Sequence, residues 1–185
     1  EAARTAAILR YHAQAALDPD GEVYPPGDGR SLLMARRRPR GVVGLITPWN
    51  FPIAISAWKL APALAHGNAC VWKPSPLSPA CAEALMGCLE PELPNGVVQV
   101  VQGGVDAGVA LAGHAGLGAI SFTGSAGAGA SVARQAADRG IAVQCEMGGQ
   151  NASIVLADAE LGRAAAIIAR AAMGYAGQKC TATSR

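Results

Sequence analysis

Residues 41–47 read GVVGLIT, from Gly41 to Thr47, and the fold reading starts from that short run. It is apolar and rich in β-branched residues, with no alternation of polar and apolar positions. A strand wetted on one face alternates, whereas a strand covered on both faces does not. Working outward, similar runs return at Ala69–Lys73, Val97–Val101, Gly118–Phe122, Ile141–Cys145 and Ala152–Leu156. Between them, apolar residues recur with helical spacing at Ile53–Leu64, Ser78–Leu89, Asp106–Gly113, Ser125–Arg139 and Leu161–Tyr175. Ser78 is placed as the N-cap of its helix, with Pro79 at the first helical position. Strands alternating with helices predict an α/β fold, a Rossmann-like parallel sheet with helices on both faces. Upstream, Ala2–Leu17 reads as a helix. Asp18–Arg30, with Pro19, Pro25, Pro26 and several glycines, reads as a loop or an irregular hairpin.

A chain of 185 residues holds one sizeable domain, or one domain and a piece of a second. Its 51% apolar and 15% charged content predicts a packed core rather than disorder. The net charge of +2 gives no basis for a nucleic-acid partner. Arg36, Arg37, Arg38 and Arg40 cluster, and read first as the solvated flank of a strand, with a polyanion-binding patch as the alternative. The cysteines, Cys70, Cys81, Cys88, Cys145 and Cys180, are odd in number and form no CxxC pair. They point away from a disulfide framework or a metal site and toward a reducing, cytoplasmic setting. No apolar run reaches the roughly 18 residues of a membrane helix, so no membrane partner is expected. The chain lacks a signal-peptide pattern and opens at Glu1 rather than Met, which predicts that an N-terminal stretch precedes it.

In open parallel sheets, ligands bind outside the carboxyl ends of the strands. The residues there are Pro48-Trp49-Asn50, Lys73-Pro74-Ser75, Gly103-Gly104, Thr123-Gly124-Ser125 and Glu146-Met147-Gly148-Gly149. Polar groups and glycines at so many strand ends favour a nucleotide site. The turn Gly124–Gly129 is neither GxGxxG nor a P-loop. Its glycines would still let a backbone approach a pyrophosphate at a helix start, with the Ser125 hydroxyl adding a donor. Lys73 could meet a phosphate or ribose, or be a surface lysine whose stem lies on apolar neighbours.

Cys180 follows the last helix in a small polar turn, Gly177-Gln178-Lys179-Cys180-Thr181, where a thiolate nucleophile could be exposed. The other four cysteines fall in strands or a helix and read as small hydrophobes. Glu146, at a strand end beside glycines, could be a general base or a salt-bridge partner. The Asn50 amide could donate to an oxyanion or simply shape a turn. His12, His66 and His114 lie in or at the ends of helices, which weakens a cysteine–histidine hydrolase. The pair Cys180 and His114 nevertheless stands as an alternative.

Taken in order, Thr47–Pro52, Lys73–Ser75, Phe122–Ser125, Glu146–Gly149 and Gly177–Cys180 resemble the motifs of the aldehyde dehydrogenase superfamily. The likeness covers the chain from Gly41 onward. It implies that the Cys180 thiolate attacks an aldehyde. The Asn50 amide and the Cys180 N–H would stabilise the oxyanion, hydride would pass to NAD or NADP, and Glu146 would activate the water that hydrolyses the thioester. Members that pass the acyl group to coenzyme A generally lack this base, so Glu146 implies the hydrolytic type. For the cofactor, the resemblance implies Ile46, Thr47, Pro48 and Trp49 along the cleft, and Lys73 and Ser75 near the adenosine ribose. Gly104, Gly108 and Ser125 would approach the adenosine and pyrophosphate. Phe122 and Thr123 belong to the same set, Gly124 and Gly129 match a spaced glycine pair, and Met147 and Gly148 would lie beside the nicotinamide. Residues 1–149 would form the NAD(P)-binding domain, with 18–40 a loop or hairpin of the oligomerisation region. Residues 150–185 would begin a truncated catalytic domain, and the full-length protein would be a homo-oligomer. A catalytically incomplete nucleotide-binding fragment is the alternative. Pro76 stands where many NAD-preferring members carry a glutamate, so NADP is expected to be tolerated or preferred. Gln178–Arg185 resembles the cysteine loop of dehydrogenases acting on α-ketoglutarate semialdehyde.

Overall fold

A computed structural model describes all 185 residues. The chain begins with helix α1 (Ala2–Ala15) and an antiparallel hairpin of β1 (Gly21–Tyr24) and β2 (Leu33–Arg36). The main sheet then follows, as β3 (Val42–Ile46), β4 (Ala69–Lys73), β5 (Val98–Val100), β6 (Ala119–Gly124) and β7 (Ala142–Met147). Its connecting helices are α2 (Ala54–Ala65), α3 (Pro79–Leu89), α4 (Val105–Gly113) and α5 (Ala126–Asp138), and α6 (Leu161–Met173) comes last. The sheet is parallel, in the order β5-β4-β3-β6-β7. The first strand of this sheet, β3, is therefore the central one, and the winding reverses between β3 and β6. At such a reversal the helices leave in opposite directions and a crevice opens at the carboxyl ends of the two strands.

The side-chain period of two assigns each strand residue to one face. Val43, Leu45, Cys70, Trp72 and Val98 pack with Leu60 of α2 and Ala82 and Leu85 of α3. Ile46, Ile120 and Phe122 pack on the other face with Leu111 and Ala112 of α4 and Val132 and Ala136 of α5. Both faces are covered over β3, β4 and β6, which explains the unbroken apolar runs there, while the edge strand β7 stays largely exposed. Leu45, Leu60 and Ile120 are each at most 1% exposed, and burial of such a side chain contributes about 2 kcal/mol. α1 packs on α2 through Ile8 against Ala54, Ala57 and Ala61. The Glu1 carboxylate accepts from the N–H groups of Ile53 and Ala54 at the start of α2, a favourable place for negative charge.

Several elements depart from the sequence reading. Ala152–Leu156 forms no strand; only Asn151 makes an isolated bridge, to Thr183. An apolar run becomes a strand when a neighbour takes its hydrogen bonds, and Ile154 is 85% exposed. β6 and β7 run on to Gly124 and Met147, because Thr123 pairs with Glu146 and Gly124 with Met147. α6 ends at Met173, before Tyr175 and Ala176, whose φ values are +61° and +53°. Ser78 sits at the cap position of α3 but its side chain makes no cap bond, and its hydroxyl is buried without a partner. Its ψ of 47° lies outside the extended region in which a serine cap reaches the next turn. Ser75 holds that turn instead, its hydroxyl accepting from the Leu77 N–H at 3.2 Å. No helix is long and apolar enough to cross a membrane.

Candidate functional site

A cavity of about 310 Å³ lies at the carboxyl end of β3 and β6. Ile46, Lys73, Pro76, Gly104, Gly108, Phe122, Ala128, Ser131 and Gln135 line it. A second cavity, of about 300 Å³, is lined by Pro48, Trp49, Asn50, Thr123, Gly124, Ser125, Glu146, Met147, Gly148, Gln178, Lys179 and Cys180. Phe122 faces the first and Thr123 the second, so the two adjoin across the end of β6. The start of α5 stands between them. Ser125 caps it, accepting from the Ala128 N–H at 3.4 Å. A helix N-terminus there offers unpaired N–H groups and partial positive charge to an anion held across both cavities.

Lys73 is only 5% exposed. Its Nζ donates to the Pro74 carbonyl at 2.8 Å, and burial pushes its pKa down. It is thus an inward-facing cation at the cavity wall rather than a surface lysine. Gly108 lets the Lys73 stem lie close, 3.6 Å from where a Cβ would stand. No Asp or Glu lines this cavity.

Thr47, Ser75 and Gly129 are near the cavities without lining them. The Thr47 hydroxyl accepts from the Trp72 indole at 2.9 Å and from Ser56 at 3.1 Å, a buried brace behind the wall. Gly129 governs the approach of α5 to β7. A Cβ there would stand 2.9 Å from Met147 Cγ and 3.2 Å from the Phe122 ring. Replacing Gly129 by valine is expected to cost about 1–3 kcal/mol of stability and to push Met147 into the second cavity. Thermal unfolding together with cofactor titration checks this. An unchanged melting temperature with unchanged affinity would refute it.

Three separate segments bring chemistry to the second cavity. Cys180 is a free, exposed cysteine in the turn after α6. Asn50, after β3, donates through Nδ2 to the Gln178 carbonyl at 2.9 Å, and the Tyr175 hydroxyl donates to the Asn50 carbonyl at 2.9 Å. The Phe51 and Tyr175 rings stack at 5.2 Å. Asn151 donates to the carbonyls of Cys180, at 2.6 Å, and Ala182, at 3.0 Å. The cysteine turn is therefore stitched to the sheet by Asn50 and to the segment after β7 by Asn151. Glu146 sits on β7, and its carboxylate accepts from Gln144 Nε2 at 2.8 Å.

Two of the other cysteines are made poor nucleophiles by burial. Burial pushes the Cys70 thiol up to about 12 and raises Cys145 as well. His114 does not approach Cys180. It lines a different groove with Val42 and Leu117, and its Nδ1 accepts from the Gly116 N–H at 3.1 Å. α4 runs back against the strand direction, so its last turn lies at the amino end of the sheet while Cys180 lies at the carboxyl end. No histidine lines the Cys180 cavity, and the cysteine–histidine alternative is set aside.

The sequence reading passed over Lys59, Gln144, Asn151 and Tyr175. Lys59 carried a signal, as a lone cation in the apolar helix Ala54–Ala65. It is 6% exposed and donates to Ser121 Oγ at 2.8 Å and to Gln144 Oε1 at 3.2 Å. Burial pulls its pKa down to about 8, against the opposing pull of Glu146 and Cys145.

Comparison with known proteins accords with this geometry. The sequence model of the aldehyde dehydrogenase family matches residues 1–185. The chain is 46% identical to an alpha-ketoglutaric semialdehyde dehydrogenase of Bacillus subtilis, covering 100% of this chain and 38% of that protein. It is 43% identical to an alpha-ketoglutarate semialdehyde dehydrogenase of Haloferax volcanii, covering 100% of this chain and 39% of that protein. An NAD+ complex of an aldehyde dehydrogenase from Bacillus cereus superposes with a TM-score of 0.94 at 36% identity, over 99% of this chain and 38% of that one. The chain thus spans less than half the length of the relatives it matches. By the full-length match of the family model and the fold it shares with solved members, the chain belongs to the aldehyde dehydrogenase family.

Proposed function

We propose that the protein oxidises an aldehyde to a carboxylate with NAD or NADP, through a thioester on Cys180. The observation that carries this is the meeting of Cys180, Asn50 and Glu146 in one cavity, adjoining a second cavity with a buried lysine at a helix start. The Cys180 sulfur attacks the aldehyde carbon. A primary amide has two N–H donors; Asn50 uses one on Gln178 and keeps the other for the oxyanion. Glu146 then takes a proton from the water that hydrolyses the thioester. The residues of the first cavity fit an adenine dinucleotide. Ile46 and Phe122 offer apolar walls, Lys73 a buried cation, and α5 its free N–H groups. When bound, the nicotinamide supplies the hydride acceptor.

The substrate we favour is α-ketoglutarate semialdehyde, supported by the similarity to the enzymes from Bacillus subtilis and Haloferax volcanii. Residues 1–149 serve as the NAD(P)-binding domain and 150–185 as the beginning of a catalytic domain. The exposed hairpin β1–β2 belongs to the surface through which the full-length protein forms homo-oligomers. The five free cysteines support a cytoplasmic setting. NAD(P)H production with a panel of aldehydes, α-ketoglutarate semialdehyde among them, tests the activity. Cofactor binding with no turnover on any of them would favour the rival reading of a nucleotide-binding fragment.

The cofactor cavity also predicts selectivity. No carboxylate stands there to repel a 2′-phosphate, and Pro76 lines the rim. NADP is expected to bind within about tenfold of NAD or better, a difference of at most about 1.4 kcal/mol in the unfavourable direction. Pro76→Glu is expected to weaken NADP selectively. Calorimetric titration of both cofactors checks this, and a hundredfold preference for NAD in the unaltered chain would refute it.

A further inference from the structure

We propose that Gln144 is a positioning residue that ties the Glu146 carboxylate to the Lys59 ammonium through the two ends of its side-chain amide. The inference rests on the reading of Glu146 as the base that completes thioester hydrolysis.

β7 carries Gln144 and Glu146 two residues apart, so both face α2. Gln144 pairs in register with Ser121 of β6, and Glu146 with Thr123. Gln144 Nε2 donates to Glu146 Oε1 at 2.8 Å. Gln144 Oε1 accepts from Lys59 Nζ at 3.2 Å and also from the Ser121 hydroxyl. Lys59 Nζ donates to Ser121 Oγ at 2.8 Å, which closes a small ring of polar groups under α2. The amide is thus used at both ends. Its carbonyl holds the cation and its N–H holds the base. A glutamine is suited to this, since it links an ammonium to a carboxylate without adding a charge of its own.

Few other charges act there. Glu146 and Cys145, both on β7, are the titratable groups that act on Lys59. Glu1, just before α1, lies at the start of α2 on the Ile53 and Ala54 N–H groups, and Arg4 of α1 lies over the Trp58 ring. Val43, Leu45, Cys70 and Trp72 of β3 and β4 present apolar or weakly polar groups to this face. The ring therefore responds mainly to its own members. With Gln144 in place, the carboxylate keeps one orientation toward the cavity that holds Cys180, and protonation of the base is felt by Lys59.

Gln144→Met keeps the side-chain length and removes all three side-chain hydrogen bonds at an exposed position, so the fold is expected to survive. The chain has only three lysines, Lys59, Lys73 and Lys179, so 13C-lysine NMR resolves each side chain. In Gln144→Met the Lys59 titration midpoint is expected to fall by half a pH unit or more, because the ammonium loses an acceptor. In Gln144→Glu it is expected to rise, because the acceptor gains a charge. In turnover, Gln144→Met is expected to keep the initial burst of NAD(P)H and to slow the steady state about tenfold. A Lys59 midpoint unmoved in both variants overturns the proposal, and so does an unchanged steady-state rate beside a normal burst. If the unaltered chain forms no NAD(P)H with any aldehyde, the proposed function fails. The Lys59 midpoints then decide the coupling by themselves.

Discussion

Replacing Cys180 by alanine is expected to abolish NAD(P)H production while leaving cofactor binding intact. Among the five cysteines, Cys180 alone lines the cavity that also holds Asn50 and Glu146. Cys70 is sealed in the core at 1% exposure with its thiol pushed up to about 12. Cys145 is likewise raised, and its sulfur lies against the Gly129 carbonyl. No second thiol can substitute. Removing a nucleophile from a residue set that acts as a unit costs on the order of 10⁴-fold or more in rate. The cofactor cavity lies on the other side of β6, and its lining does not include Cys180. Dinucleotide affinity is therefore expected to change less than about twofold, within about 0.5 kcal/mol. Following absorbance of the reduced cofactor with the best aldehyde of the panel checks the first expectation, and calorimetric titration the second. Residual turnover within a hundredfold of the unaltered chain would rule Cys180 out as the nucleophile.

Glu146→Gln is expected to divide the reaction in two. The first half, attack and hydride transfer, needs Cys180 and Asn50 and leaves a thioester. The second half needs a base for water. With glutamine at 146, one equivalent of NAD(P)H should form quickly and the steady state should then fall by about 10²–10⁴-fold, the usual worth of a general base. Mass spectrometry of the stalled protein should show Cys180 carrying the acyl group. This pattern differs from that of Cys180→Ala, which should give neither a burst nor an adduct. A steady state that falls in step with the burst would mean that Glu146 serves the first half of the reaction, contrary to its proposed role.

The residues of the candidate site were legible in unequal degree. Asn50, Glu146 and Cys180 could be named because each follows or ends a regular element and sits beside glycine, proline or small polar residues. Lys73 was ambiguous in sequence, since a lysine at a strand end is equally a surface residue. Its 5% exposure removed the ambiguity. Thr47 and Ser75 belong to the expected cofactor set, and their hydroxyls also accept from Trp72 and Ser56, and from Leu77. A hydroxyl's direction depends on neighbours supplied by other elements, and motif spacing holds no record of them. Gln144 and Lys59 were invisible as a pair for the same reason, being 85 residues apart and joined only by the reach of a side chain from α2 to β7.

From sequence alone came the alternation of strand and helix, both-sided burial of the central strand β3, and the strand-end location of the polar residues. These are local matters, written in apolar periodicity and in turn residues, and no distant contact can change them. The tertiary structure decided the rest. It reversed the winding between β3 and β6, and so made one crevice of strand ends that are far apart in the chain. It left Ala152–Leu156 without a partner strand despite its β-like sequence. It set His114 at the opposite end of the sheet from Cys180. Strand pairing, the facing of helices and the reach of a side chain are fixed by groups remote in sequence. They become definite only when burial and hydrogen bonding are satisfied for the whole chain at once.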